Sequence, residues 1–264
     1  MKANKMSTLR FFLCFAAMVL GSLCVSAQTN PYPELDEFDS FANATVVNFR
    51  GQQPTLVDFV NAYLSDAYGD LAATIGRVWR KYLKNKPQSS GDKILVDKKN
   101  GYVRIETNDF DEDQNATYKT IIEMCYWNCS DNQYKVFAQT CYTYVNGHVS
   151  GGWQHDGISF YVYDNNLRKL AFMPADMMGV EVQTGMEYVS HGYDNGNYFW
   201  ENSETGERKN MTEEEFEKWQ DEYPVVTYNL PREEKDITAV INNRPEGKKE
   251  IIVKWNGLRF EVQQ

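Results

Sequence analysis

The chain has 264 residues, 42 % hydrophobic and 24 % charged, which excludes a disordered or collagen-like polymer and leaves room for one large domain or two small ones. Its formal net charge is −10, from 37 acidic and 27 basic residues. Such a surface repels phosphate backbones and anionic lipid, so no nucleic-acid partner is expected.

Residues 1–27 read as a targeting segment. Lys2, Lys5 and Arg10 form a positive start, residues 11–25 are an apolar run, and Val25-Ser26-Ala27 is a small-residue cleavage site before Gln28. The run falls short of the ~20 residues that span a bilayer, and no second apolar run follows. Gly21-Ser22-Leu23 before Cys24 is a poor lipid-attachment sequence. The expected product is exported, periplasmic or extracellular, with no membrane insertion after cleavage. Losing this segment removes three positive charges and Cys14 and Cys24, leaving a net charge of −13 and three cysteines.

Residues 28–53 form an irregular lead-in with Pro31, Pro33 and an acidic patch at 34–39. Thr55 and Asp58 then have the spacing of a capping box. Leu56, Phe59, Val60, Tyr63, Leu64 and Ala67 recur at helical spacing. Gly69 breaks or kinks the helix, the pattern resumes through Leu71, Ile75, Val78, Trp79 and Tyr82, and Pro87 and a Ser-Ser-Gly turn end it. From Lys93 the period changes to 2, and Asn-Gly pairs at 100, 146, 195 and 256 mark hairpin turns. A two-residue turn at Asn256-Gly257 would pair Trp255 with Leu258 and Val253 with Phe260. One at Asn100-Gly101 would pair Val96 with Ile105 and Asp97 with Arg104. A further hairpin centres on Asp164-Asn165-Asn166. Thr212 and Glu215 form a second capping box, opening a short helix that Pro224 ends.

This order predicts an α+β fold. An N-terminal kinked helix or helix pair packs on an antiparallel, hairpin-rich sheet, with a short second helix near 212–222 and further antiparallel strands. Residues 54–175 would hold the first helix and sheet, and 176–264 a second β-rich module or a continuation of the same domain. An aromatic before a turn and Leu-Arg after it, at 163–168 and again at 255–259, mark either two such modules or a chance likeness of hairpins, and chance is the better reading.

The segment 124–142 holds all three remaining cysteines, Cys125, Cys129 and Cys141. Export to an oxidising compartment favours a disulfide over zinc thiolates. A hairpin centred near Gln133 would set Cys125 opposite Cys141 as a disulfide candidate; a shorter turn at Asp131-Asn132 changes the parity and forbids it. A nucleophilic Cys141 with His148 or His155 as base has the Gln-Cys-aromatic order of papain-like peptidases at Gln139-Thr140-Cys141-Tyr142, but lacks the helix N-terminus that would lower the thiol's pKa. His155-Asp156 and His191 with Asp194, in Gly-rich loops, are metal-ligand candidates set against ordinary polar turns. The acidic run 108–115 lacks the Gly and Glu that a calcium loop needs.

Trp153, Tyr193, Tyr198 and Trp200 are the ligand-binding candidates, since flat aromatic faces stack on sugars or anchor partners. No nucleophile elbow, phosphate loop, dinucleotide fingerprint or zinc-peptidase motif occurs. No cofactor or resident metal is expected. The functional expectation is an exported, non-enzymatic binding module that presents aromatic-rich loops to a glycan, peptide or protein partner. Alternatives are a secreted hydrolase, thiol-based at Cys141 or a carboxylate-based glycosidase, and a structural protein of the cell envelope. Asn43, Asn115, Asn128 and Asn210 begin Asn-x-Ser/Thr sequons, which keeps eukaryotic secretion open.

Overall fold

The computed structural model describes residues 30–37, 40–112, 115–149, 157–182, 189–194, 197–202, 205–222, 224–243 and 247–263. The expected targeting segment lies outside them.

Seven strands form one continuous antiparallel path. These are β1 (Thr45–Val46), β2 (Lys93–Asp97), β3 (Tyr102–Asp111), β4 (Ala116–Asn128), β5 (Tyr134–Val145), β7 (Ile158–Asp164) and β8 (Lys169–Met173). Their spatial order is β1-β8-β7-β5-β4-β3-β2, with the short β6 (His148–Val149) also on β5. The sheet curls into a half-barrel. A three-stranded sheet follows: β9 (Val189–Asp194), β10 (Asn197–Asn202) and β11 (Arg208–Met211). The last sheet is β12 (Val225–Asn229), β13 (Ile237–Asn242), β14 (Lys249–Trp255) and β15 (Phe260–Val262), in that order.

Among the described residues there are four helices: α1 (Pro33–Glu37), α2 (Leu56–Asp66), α3 (Gly69–Leu83) and α4 (Glu213–Glu222). The Thr55 N–H donates to Asp58 Oδ2 at 2.8 Å at the start of α2. Ahead of α4, Thr212 N–H donates to Glu215 Oε2 at 2.9 Å and Glu215 N–H to Thr212 Oγ1 at 3.2 Å, a reciprocal capping box. Gly69, at φ +84°, reopens the chain after Asp66 and starts α3.

The α+β expectation is overturned: the chain is mostly antiparallel β-sheet with short helices. The large sheet is covered by helices on one face and by the last sheet over part of the other. On one face Val103, Ile105, Ile122, Met124, Phe137 and Tyr163 meet Phe59, Tyr63, Ile75, Val78 and Trp79 of α2 and α3. On the other, Cys125, Trp127, Val136, Ala138, Phe160 and Val162 meet Ile237, Ala239, Ile251, Val253 and Phe260 of the last sheet. The helices therefore cover one side of a sheet-on-sheet core. This is why β5 is buried at nine consecutive positions, from Tyr134 to Tyr142.

Two registers differ from the sequence reading by two residues. Trp255 pairs with Phe260 and Val253 with Val262. Val96 pairs with Val103 and Asp97 with Tyr102. The cause is side-chain capping of longer loops. Asn256 Oδ1 accepts from the N–H groups of Leu258 at 3.0 Å and Arg259 at 2.9 Å, and Asp97 Oδ1 accepts from the N–H of Asn100 at 3.1 Å. A shift of two keeps every side chain on its expected face. The two-residue turn appears at Asn146-Gly147, φ +48° and +88°, joining β5 to β6.

Candidate functional site

The last sheet covers only part of the large one. β12 passes over β5, and beyond it the same face of β3, β4 and β5 lies open in a cleft of about 580 Å³. Strand alternation builds its floor. Val103 and Ile105 turn to the helices, while Arg104, Glu106 and Asn108 project from the opposite face of β3. β4 contributes Thr117, Lys119 and Ile121, β5 contributes Tyr142 and Tyr144, and Asn229 of β12 forms the rim. Pairing aligns Arg104 with Glu123, Glu106 with Ile121 and Asn108 with Lys119, and sets Ile121 against Tyr142.

Glu123 anchors the inner end. It is 2 % exposed and accepts from the Tyr102 hydroxyl at 2.7 Å, the Arg104 guanidinium, and the N–H of Leu230, just past β12, at 2.8 Å. Arg104 Nε also donates to Glu106 Oε1 at 2.9 Å, and Lys119 Nζ lies 3.5 Å from Glu106 Oε2. The Arg104 bond holds the Glu106 carboxyl below its usual range against the opposing effect of burial. Burial and the neighbouring Glu123 raise the Tyr102 hydroxyl. Burial alone would lower Arg104, yet its bonds to Glu106 and Glu123 leave it raised. Burial, with Glu123 adding to it, pushes Tyr142 up to about 12. Its hydroxyl donates to Asn229 Oδ1 at 3.1 Å. Thr140 pairs with Glu123 and is fully buried; its Oγ1 has no hydrogen-bond partner among the described residues.

Two cations of the cleft lining are thus each held by acids behind them.

No protein-family model, curated protein or solved structure matches the chain.

The structure does not bring Cys125 and Cys141 together, so the disulfide expectation is corrected. Asn128 pairs with Lys135, centring the turn at Asp131-Asn132, and Cys125 faces Ala138 while Cys141 faces Ile122. Asp131 Oδ1 fixes this turn by accepting from the N–H groups of Gln133 and Tyr134, and Asn132 takes φ +59°. The odd turn parity sends Cys125 to the sheet-side core and Cys141 to the helix-side core, and all three cysteines are free and buried. Burial pushes the Cys141 thiol up to about 11, the wrong direction for a thiolate nucleophile. His148 is exposed and pairs with Val145, four residues along β5 from Cys141, or about 13 Å at ~3.3 Å per residue. A disulfide-exchange reagent added to native protein should therefore leave Cys125, Cys129 and Cys141 unmodified over minutes and label them on unfolding in urea. Rapid native labelling at Cys141, read by peptide mass, would contradict this placement.

Trp153, His155 and Asp156 lie outside the described residues. His191 sits in β9 opposite Trp200, and Asp194 pairs with Arg208 at 3.0 Å. No group of three or more His, Cys, Asp or Glu among the described residues is arranged to hold a metal. Tyr193, Tyr198 and Trp200 lie on strands rather than loops, because Tyr193 pairs directly with Tyr198. Tyr198 stacks on Phe216 of α4 with centroids 4.5 Å apart, and Tyr193, 65 % exposed, meets Tyr198 edge-on at 4.9 Å. These aromatics fasten the small sheet to its helix and leave one ring open.

Sequence reasoning passed over Glu106, Lys119, Glu123 and Asn229. The legible signal was the charged alternation Arg104, Glu106, Asn108 on a strand whose other face is Val103 and Ile105.

Proposed function

We propose that the chain is an exported, non-enzymatic binding module for a glycan, peptide or protein partner, and that the ligand sits in the cleft beyond β12. The export part rests on the sequence of residues 1–27. The binding part rests on one observation: an open polar cleft whose charged groups are already satisfied by one another. A general acid of a glycosidase needs a carboxyl held above its usual range. Glu106 is shifted the other way, and Glu123 is held by three donors. The buried Cys141 on the opposite face weighs against thiol chemistry.

Capture on mixed glycan and peptide arrays tests this reading. The double substitution Tyr142→Ala with Asn229→Ala should weaken capture at least tenfold, which corresponds to about 1.4 kcal/mol. Tyr193→Ala should leave it unchanged. The reverse pattern would move the ligand seat to the small sheet.

A further inference from the structure

Resting on that reading, we infer that the cleft takes a neutral saccharide: its polar groups suit a hydroxyl-rich ring without charge, and its floor gives neither an acid nor a peptide strand a seat. The charges come first. Arg104 is held by Glu106 and Glu123, and Lys119 lies against Glu106. The two cations that line the cleft are thus neutralised by carboxylates behind them, so an acidic ligand would compete with Glu106 and Glu123 for Arg104, and a basic one would meet the cations first. Parting Arg104 from the buried Glu123 would leave a buried charge without its partner, which is costly. A ligand without formal charge displaces nothing.

The uncharged groups come next. Asn108, Thr117, Asn229 and Tyr142 supply amides and hydroxyls, groups that both donate and accept. Sugar hydroxyls need that mixture, because each is itself a donor and an acceptor. Tyr142 and Tyr144 lie edge to face, with centroids 5.9 Å apart, and add apolar ring surface against which the C–H face of a pyranose can pack.

A peptide fits the floor poorly. Extended peptides bind most readily by adding to a free strand edge. β4, at the centre of the floor, is paired along β3 on one side and β5 on the other, so a peptide strand could add only at the rim, where β12 is the edge of the last sheet.

Chemical-shift mapping on the whole chain separates the outcomes. The probes are the methyl glycosides of glucose, galactose, mannose and N-acetylglucosamine, with glucuronate and a blocked Ala-Gly-Ala tripeptide as the other arms, each at millimolar concentration. At least one neutral glycoside should shift the amides of Lys119, Ile121, Tyr142 and Asn229. Asn229→Ala should weaken that binding about tenfold. Tyr142→Phe, which keeps the ring and removes the hydroxyl with its bonds to Asn229 and Arg104, should weaken it severalfold with the spectrum otherwise preserved. If glucuronate or the tripeptide shifts these amides and no neutral glycoside does, the saccharide inference is overturned while the cleft remains the ligand seat. If no probe shifts them, the cleft reading falls with it.

Discussion

Glu123→Ala is expected to lower folding stability by about 3 kcal/mol, the low end of the range for removing one member of a buried ion pair. Three donors lose their acceptor together: the Tyr102 hydroxyl, the Arg104 guanidinium and the Leu230 N–H. The Leu230 bond matters most for the architecture, since it ties the end of β12 to the floor of the large sheet. Arg104 keeps Glu106 and is partly exposed, which is why the upper end of the range is not expected. Glu123→Gln keeps the shape and an acceptor, and should cost about half as much. Urea titration reads both: the midpoint should fall with an unchanged slope, since the area exposed on unfolding stays the same. A loss below 1 kcal/mol for the alanine variant would mean that the network does not hold the two sheets in register at the cleft.

Trp127→Ala should cost more, about 3–5 kcal/mol, the usual range for emptying a buried aromatic site. Trp127 stands where the two sheets meet. It is 5 % exposed, its ring lies edge-on to Phe260 at 5.1 Å and 6.0 Å from Trp255, and its Nε1 donates to the Lys235 carbonyl at 2.8 Å. The alanine variant removes the ring contacts and leaves that carbonyl unpaired. Trp127→Phe retains a ring and loses the bond, so it should cost about 1–2 kcal/mol. The same urea titration separates the two contributions. If both variants lose equally, the hydrogen bond rather than the packing joins the sheets.

Much of the local structure was legible in the sequence. The capping boxes at Thr55 and Thr212, the break at Gly69 and the period-2 strands from Lys93 each depend on neighbours within a few residues. Turn lengths were harder. Asn256 and Asp97 each cap their own loop, and the sequence does not display the competition between that bond and a two-residue turn. The cysteine segment shows how much follows from such a choice. A turn at Asp131-Asn132 in place of one near Gln133 reverses the parity of β5 and sends Cys125 and Cys141 to opposite cores.

The sequence by itself determined where the longer helices and the hairpin strands form and which residues share a strand face, because side-chain direction follows from backbone period alone; α1, β1, β9 and β10 fall in stretches it reads as irregular or loop. Only the tertiary structure decided the fold class and the cleft. The burial of β5 on both faces depends on a last sheet whose strands lie about a hundred residues further along the chain, too distant for any local pattern to register. The cleft exists because that sheet stops at β12. Arg104, Glu106, Lys119 and Glu123, ordinary strand charges in the sequence, become a closed polar network there, since partly buried charges must find partners once water is excluded.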